Sequence, residues 1–324
     1  MAAARRTRLA SHLLFAGLGA AVVVFRLGPT LLAGFFSFAI LDMTFRALSV
    51  RVRPRLARPL SLAVFLMVAS LSLYALGHFL HQSVSAVPSI LGKVLPEMDQ
   101  LGDRYGLDLP FENLDAFRQA LFQELRENAV DIPHFGGLLS RQLLYVILSV
   151  FCAILAFVAD AESPEDDTLY GHLRTEFDAR VRSFLRSFER VLGAQVAVSA
   201  VNAALTFLFL TAMGIPHRHF LSAAAFFLGV LPVVGNILSN TLISLAALTV
   251  SFRDAALSLV FLVVIHKIQY VLSGRIIGST IRIPMWQTLV AILVGEAVLG
   301  LSGVLLAPAV LHYARQELRA IPAS

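Results

Sequence analysis

The sequence predicts an all-α, polytopic membrane protein with about six to eight transmembrane segments, two of them broken, re-entrant helical hairpins, plus amphipathic interfacial helices. Composition is the first reason. The chain is 57% hydrophobic and 15% charged, with a mean hydropathy of +0.77, whereas a soluble chain carries about 25% charged residues. Patterning is the second. Apolar runs fall at 9–25, 29–45, 60–80, 141–159, 191–213, 220–250, 255–273 and 284–312, and a spanning helix needs about 20 residues. The alternating segments of about ten residues that build a transmembrane β-barrel do not occur. The third reason is that two of the longest runs are interrupted at mid-length. One breaks at Leu231-Pro232-Val233-Val234-Gly235-Asn236, the other over Gly295-Glu296-Ala297-Val298-Leu299-Gly300-Leu301-Ser302-Gly303. Broken backbone at membrane depth survives only where protein or a water-filled cavity covers it. A matched pair of Gly/Pro-interrupted segments points to the binding site of a transporter.

The elements follow in order. Arg5, Arg6 and Arg8 precede the first run and resemble the start of a secretory signal, but no small-residue cleavage site follows. Residues 9–25 and 29–45 are read as an uncleaved hairpin turning at Leu27-Gly28-Pro29. Arg46, Arg51, Arg53, Arg55 and Arg58 then lie between the second and third runs with no acid among them, which places this loop and the N-terminus in the cytoplasm. Residues 1–83 form the N-terminal transmembrane region. Residues 84–140 are expected to be an extracytoplasmic amphipathic insert. Val84, Val87, Leu91, Val94, Leu95 and Met98 recur at helical spacing, as do Leu114, Phe117, Leu121, Leu125 and Ala129 after a cap at Asn113, with Pro110 between. Both stretches should lie on the membrane surface or pack on neighbouring subunits.

Residues 141–190 comprise a transmembrane run and a cytoplasmic interfacial helix whose apolar face is Leu173, Phe177, Val181, Phe184, Phe188 and Val191. Residues 191–324 form the transport core. If all eight runs span, Arg275 and Arg282 fall outside, against the charge rule; if the two broken runs re-enter, Arg275, Arg282, Arg315 and Arg319 are all cytoplasmic. The second topology is favoured, although it leaves Arg253 and His217-Arg218-His219 outside. Both leave the C-terminus inside.

Several residues are candidates for chemistry. Glu296 sits near the centre of an apolar run, where a carboxylate costs about 2.5–3.5 kcal/mol and needs a partner or a proton. It is read either as a titrating transport group or as a structural, paired Glu. Asn236, Ser239 and Asn240 follow the first break, where the exposed N–H groups of a half-helix hold polar or anionic groups; Asn236 is equally a simple cap. Gln195 and Asn202 lie two turns apart on one helix face, and such amides serve substrate or helix packing. His266, Lys267 and Gln269 are the polar patch of the seventh run, with Lys267 a counter-ion to Glu296 or a snorkelling side chain. Asp42 and Arg46 are spaced to pair on one face. Pro232, Gly235, Gly295, Gly300 and Gly303 are read as the hairpin breaks. Cys152 is the only cysteine, which excludes an intrachain disulfide, and it is expected to be a small buried hydrophobe.

Gly193-Ala194-Gln195, Asn202, Met213-Gly214-Ile215-Pro216, Leu231-Pro232-Val233-Val234-Gly235, Gln269-Tyr270-Val271-Leu272-Ser273-Gly274-Arg275-Ile276, Gly295, Gly300, Gly303 and Ala307-Pro308 together resemble the autoinducer-2 exporter family of PerM-like permeases. The motifs cover about residues 165–312; the N-terminal half matches in layout. The resemblance implies a homo-oligomeric, pentameric carrier of the bacterial inner membrane, in which two helical hairpins hold the solute and each protomer shifts like an elevator. It implies export of a small polar solute such as the quorum-sensing signal autoinducer-2; the alternative within the family is monovalent cation/proton exchange.

Other classes fit poorly. No His-Glu-x-x-His pattern or aspartyl dyad suits an intramembrane protease, and no P-loop or cofactor motif is present. No cofactor, metal or nucleic-acid partner is therefore expected; the partners are a small molecule or ion and the lipid bilayer.

Overall fold

The computed structural model describes residues 2–105, 132–159, 168–277 and 283–320. Among the described residues there are ten helices and no strand: α1 (Ala2–Val24), α2 (Gly28–Ser49), α3 (Pro54–Tyr105), α4 (Ile132–Val158), α5 (Leu169–Ala212), α6 (Arg218–Phe227), α7 (Val234–Leu248), α8 (Phe252–Ile277), α9 (Met285–Leu299) and α10 (Leu301–Ala320). Among the described residues, four stretches are long and apolar enough to cross a membrane: Gly28–Ser49, Arg55–Met98, Arg141–Val158 and Leu169–Ala212. The helix expected at 114–129 lies outside the described residues.

Two helices are longer than expected. α3 has 52 residues and α5 has 44, or about 78 and 66 Å at a 1.5 Å rise. The membrane run at 60–80 and the stretch at 84–98 therefore form one rod. The linking residues His81-Gln82-Ser83 carry no turn signal, and the helix continues through Pro88 and Pro96. The expected interfacial helix at 173–191 likewise runs unbroken into α5.

The chain divides into two compact units. The first comprises Met1–Ser70, Ser140–Gly193 and Gly278–Ser324. Its main core gathers Leu32, Phe184, Phe188, Leu192, Leu306 and Ala309, edged by Phe15, Phe35, Phe36 and Tyr313. Aromatic rings interlock there: Phe35 lies 5.2 Å from Phe184, and Phe184 lies 5.5 Å from Tyr313. The apolar face expected on a lipid surface is thus buried against α2 and α10. Polar ties fasten this unit too. Arg180, only 6% exposed, donates from Nε to Ser11 Oγ at 2.8 Å and pairs with Glu176 and Glu317 at 3.3 and 3.5 Å. The Asp42–Arg46 pair forms at 3.0 Å, and Glu189 joins it. Where α2 meets α4, Ser149 Oγ donates to the Thr30 carbonyl at 2.6 Å, an approach that Gly34 permits because any Cβ there would meet the Ser149 hydroxyl. Cys152 is exposed rather than buried, on the same outward face of α4 as Leu148 and Leu155.

The second unit comprises Leu71–Leu139 and Ala194–Ile277. Its core contains Phe79, Ala86, Ile90, Val94, Leu210, Ile215, Phe220, Leu221, Ile243, Leu262 and Ile265, with Val87 and Met98 packed against it. Phe79 stacks on Phe220 at 5.6 Å, and Phe209 on Phe261 at 4.1 Å. Of the amphipathic face at 84–98, expected on the membrane surface or on another subunit, Val87, Val94 and Met98 instead pack in the core of their own unit, because α5 and α6 supply apolar partners within the chain, while Val84 stays exposed.

Candidate solute-binding site

The site is built on the break in the sixth apolar run, which falls at Leu228–Val233, between α6 and α7. Its last residue is strained. Val233 has φ 67 and ψ −66, and the Val234 N–H donates to the Pro232 carbonyl at 2.8 Å. This is a γ-turn of the rare, strained kind, on a β-branched residue that avoids positive φ. Strain of this sort costs about 1–3 kcal/mol and gathers at functional sites. Gly235 is obligatory for packing: a Cβ there would overlap the Leu228 carbonyl. Val233 caps α7 without a side-chain hydrogen bond.

α5 carries a polar stripe whose N-terminal members, Gln195 and Ser199, meet this break at Gly229. Gln195, Ser199, Asn202 and Thr206 are spaced i, i+4, i+7 and i+11, so they line one side of the helix. Gln195 Nε2 donates to the Gly229 carbonyl at 2.8 Å, satisfying a group that the broken helix leaves free. Next along the stripe, a Cβ on Gly229 would lie 3.1 Å from Ser199 Oγ, so backbone and hydroxyl meet closely. Ser199, Asn202 and Thr206 are 1%, 4% and 0% exposed. The hydroxyls of Ser199 and Thr206 have no hydrogen-bond partner among the described residues. An unpaired buried hydroxyl costs about 1–3 kcal/mol.

The remaining candidates are placed as follows. Asn236 and Asn240 are half-buried, one turn apart on α7, and the Asn236 carbonyl accepts from Ser239 Oγ at 3.3 Å. Gln269 is half-buried on α8, where His266 and Lys267 are exposed. Pro232 lies in the break, and Gly235 in the first turn of α7. The second interrupted run belongs to the first unit. There the break is Gly300 alone, at φ 60 and ψ −143, a region open essentially to glycine. Gly295 and Gly303, expected to be breaks, are inside α9 and α10. They let the two backbones touch: a Cβ on Gly295 would lie 2.5 Å from the Gly303 carbonyl oxygen. The groove along this hairpin, about 490 Å³, is apolar and lined by residues such as Trp286, Val290, Val294, Leu306 and Val310. Glu296 is exposed on α9. Among the described residues no group of three or more His, Cys, Asp and Glu is arranged to hold a metal ion.

A cavity of the second unit, about 410 Å³, is lined by Gln82, Ser85, Gly214 and the turn His217-Arg218-His219. His217 is left-handed at φ 57, and its Nε2 lies 3.4 Å from Ser89 Oγ. Sequence reasoning found Gln195 and Asn202 but missed Ser199 and Thr206, although their spacing completes the same stripe.

A strained, glycine-dependent break covered by a buried polar helix face is the architecture of a carrier rather than of an anchor, and the comparisons agree. Residues 12–322 match the family profile described as AI-2E family transporter. The chain belongs to this family. It is also similar to the "Putative transport protein YdbI" of Bacillus subtilis (strain 168), with 26% identity over 219 residues, 65% of this chain and 59% of that protein. The matched stretch thus spans less than two thirds of the relative's length. The AI-2E family is a family of membrane transporters, and the apolar helices of this member make it a multi-pass membrane protein.

Proposed function

We propose that this AI-2E family member is a secondary-type permease of the bacterial inner membrane that exports a small polar solute such as autoinducer-2. It works as a homo-oligomer, a pentamer, with both termini in the cytoplasm, and each protomer moves its solute by an elevator-like shift. The observation that carries the reading is the buried, uncharged polar face of α5, tied by Gln195 to the strained break between α6 and α7. Discontinuous helices at membrane depth are where transporters bind their cargo. The chain carries no nucleotide-binding motif, and transport is either driven by a gradient or facilitated.

A second reading, monovalent cation/proton exchange, is favoured by Glu296, an exposed carboxylate on the otherwise apolar face of α9. Flux in proteoliposomes separates the two. Labelled autoinducer-2 should leave the vesicles down its gradient with wild-type protein and stay inside with empty vesicles. Sodium-driven proton movement that Glu296→Gln abolishes, with no autoinducer-2 flux, would replace the first reading with the second.

A further inference from the structure

The helix hydroxyls of this chain have a common habit. Ser61, Ser83, Ser222 and Ser258 each donate to a carbonyl three or four residues back, at 2.7–2.8 Å. That bond satisfies a hydroxyl in an apolar surrounding without any partner helix. Ser199 and Thr206 do not make it, although both are buried, and they flank the buried Asn202 on the α5 stripe that reaches the break at its Gln195–Ser199 end. Two donor-acceptor hydroxyls and an amide are therefore held in one stripe with the hydroxyls unspent.

The charge pattern narrows what they hold. Residues 194–212 and 220–250 contain no Asp, Glu, Lys, Arg or His. An ion entering this apolar surrounding would find no counter-charge, and a lone ion is costly there. Hydroxyl and amide groups both donate and accept, which matches a solute carrying hydroxyl or carbonyl groups.

We propose that Ser199, Asn202 and Thr206 form a binding site for an uncharged solute bearing hydroxyl or carbonyl groups, on the face of α5 that Gln195 anchors to the α6–α7 break. The inference rests on the permease reading and supplies its solute class and two residues to which no role has been attached. In this site Ser199 and Thr206 bond the solute directly, and the Ser199 hydroxyl lies close against the Gly229 backbone of the break.

The test uses the lone native cysteine to advantage. In full-length Cys152→Ser protein in proteoliposomes, Ser199→Cys and Thr206→Cys are treated with methyl methanethiosulfonate. Ser61→Cys and Ser258→Cys serve as dry controls, since both serines are equally buried but self-satisfied. The expected result is labelling at least tenfold faster at the two α5 positions, slowed at least threefold by boron-free autoinducer-2 as the uncharged probe and unaffected by sodium. In parallel, Ser199→Ala and Thr206→Val, which keep the helix and its shape, should each lower autoinducer-2 flux at least fivefold, while Ser61→Ala leaves it unchanged. Labelling no faster than the controls overturns the proposal. So does flux that both variants leave intact, or slowing by sodium and not by the uncharged probe. Protection by the probe with no flux of any solute through wild-type protein keeps the binding site and removes the permease reading instead.

Discussion

In the α6–α7 segment, Gly235 sits under the Leu228 carbonyl, Val233 is forced to positive φ and a polar helix face closes over the gap. In the α9–α10 hairpin, the turn is one glycine, and Gly295 and Gly303 press two apolar helices together backbone to backbone. Both segments come from long apolar runs interrupted by glycine. The first leaves backbone groups for a side chain to satisfy, and Gln195 does so. The second leaves little exposed, because the chain reverses at Gly300 and the following helix starts at once. Glycine thus opens a helix in one unit and closes a helix pair in the other.

Substitutions that exploit this contrast should differ in size. The largest effect is expected from Gly303→Val, whose side chain would drive into the Gly295 backbone. Overpacking costs about 1–3 kcal/mol or more, and the thermal unfolding midpoint in detergent should fall sharply or the protein fail to purify. Retention of the wild-type midpoint would mean that the backbones do not touch. Gly300→Ala comes next, since a Cβ meets no atom but the backbone conformation is closed to alanine. A loss of about 1–3 kcal/mol is expected from strain alone, without the collapse expected for Gly303→Val.

Gln195→Ala should destabilise the α6–α7 segment by about 1–3 kcal/mol by leaving the Gly229 carbonyl unpaired. Hydrogen exchange at residues 228–236 should speed up while α9 and α10 keep their protection; uniform exchange across both segments would count against a local role. The smallest stability effect belongs to Glu296→Gln. The side chain is exposed, so the unfolding midpoint should hold within about 0.5 kcal/mol. A large fall would show that its charge is structural.

The all-helical membrane class was legible from apolar run lengths, and the existence of both interruptions from their Gly and Pro content. The Asp42–Arg46 pair was legible from four-residue spacing. Less could be read from glycine alone. Gly295, Gly300 and Gly303 look alike in sequence, yet only Gly300 turns the chain. The stripe on α5 was half-read: amides stand out in an apolar run, whereas Ser and Thr normally satisfy themselves within a helix and draw no notice.

The sequence by itself determined which residues are apolar, how often they recur and where a helix cannot continue smoothly. Only the tertiary structure decided what covers each apolar face. Val94, and equally Phe184 and Phe188, read as parts of surface-seeking amphipathic faces but are core, while Cys152 reads as core but is exposed. The physical reason is that lipid and protein interior are equally apolar solvents. Periodicity reports that a face shuns water; the partner that takes it in is chosen by the rest of the fold.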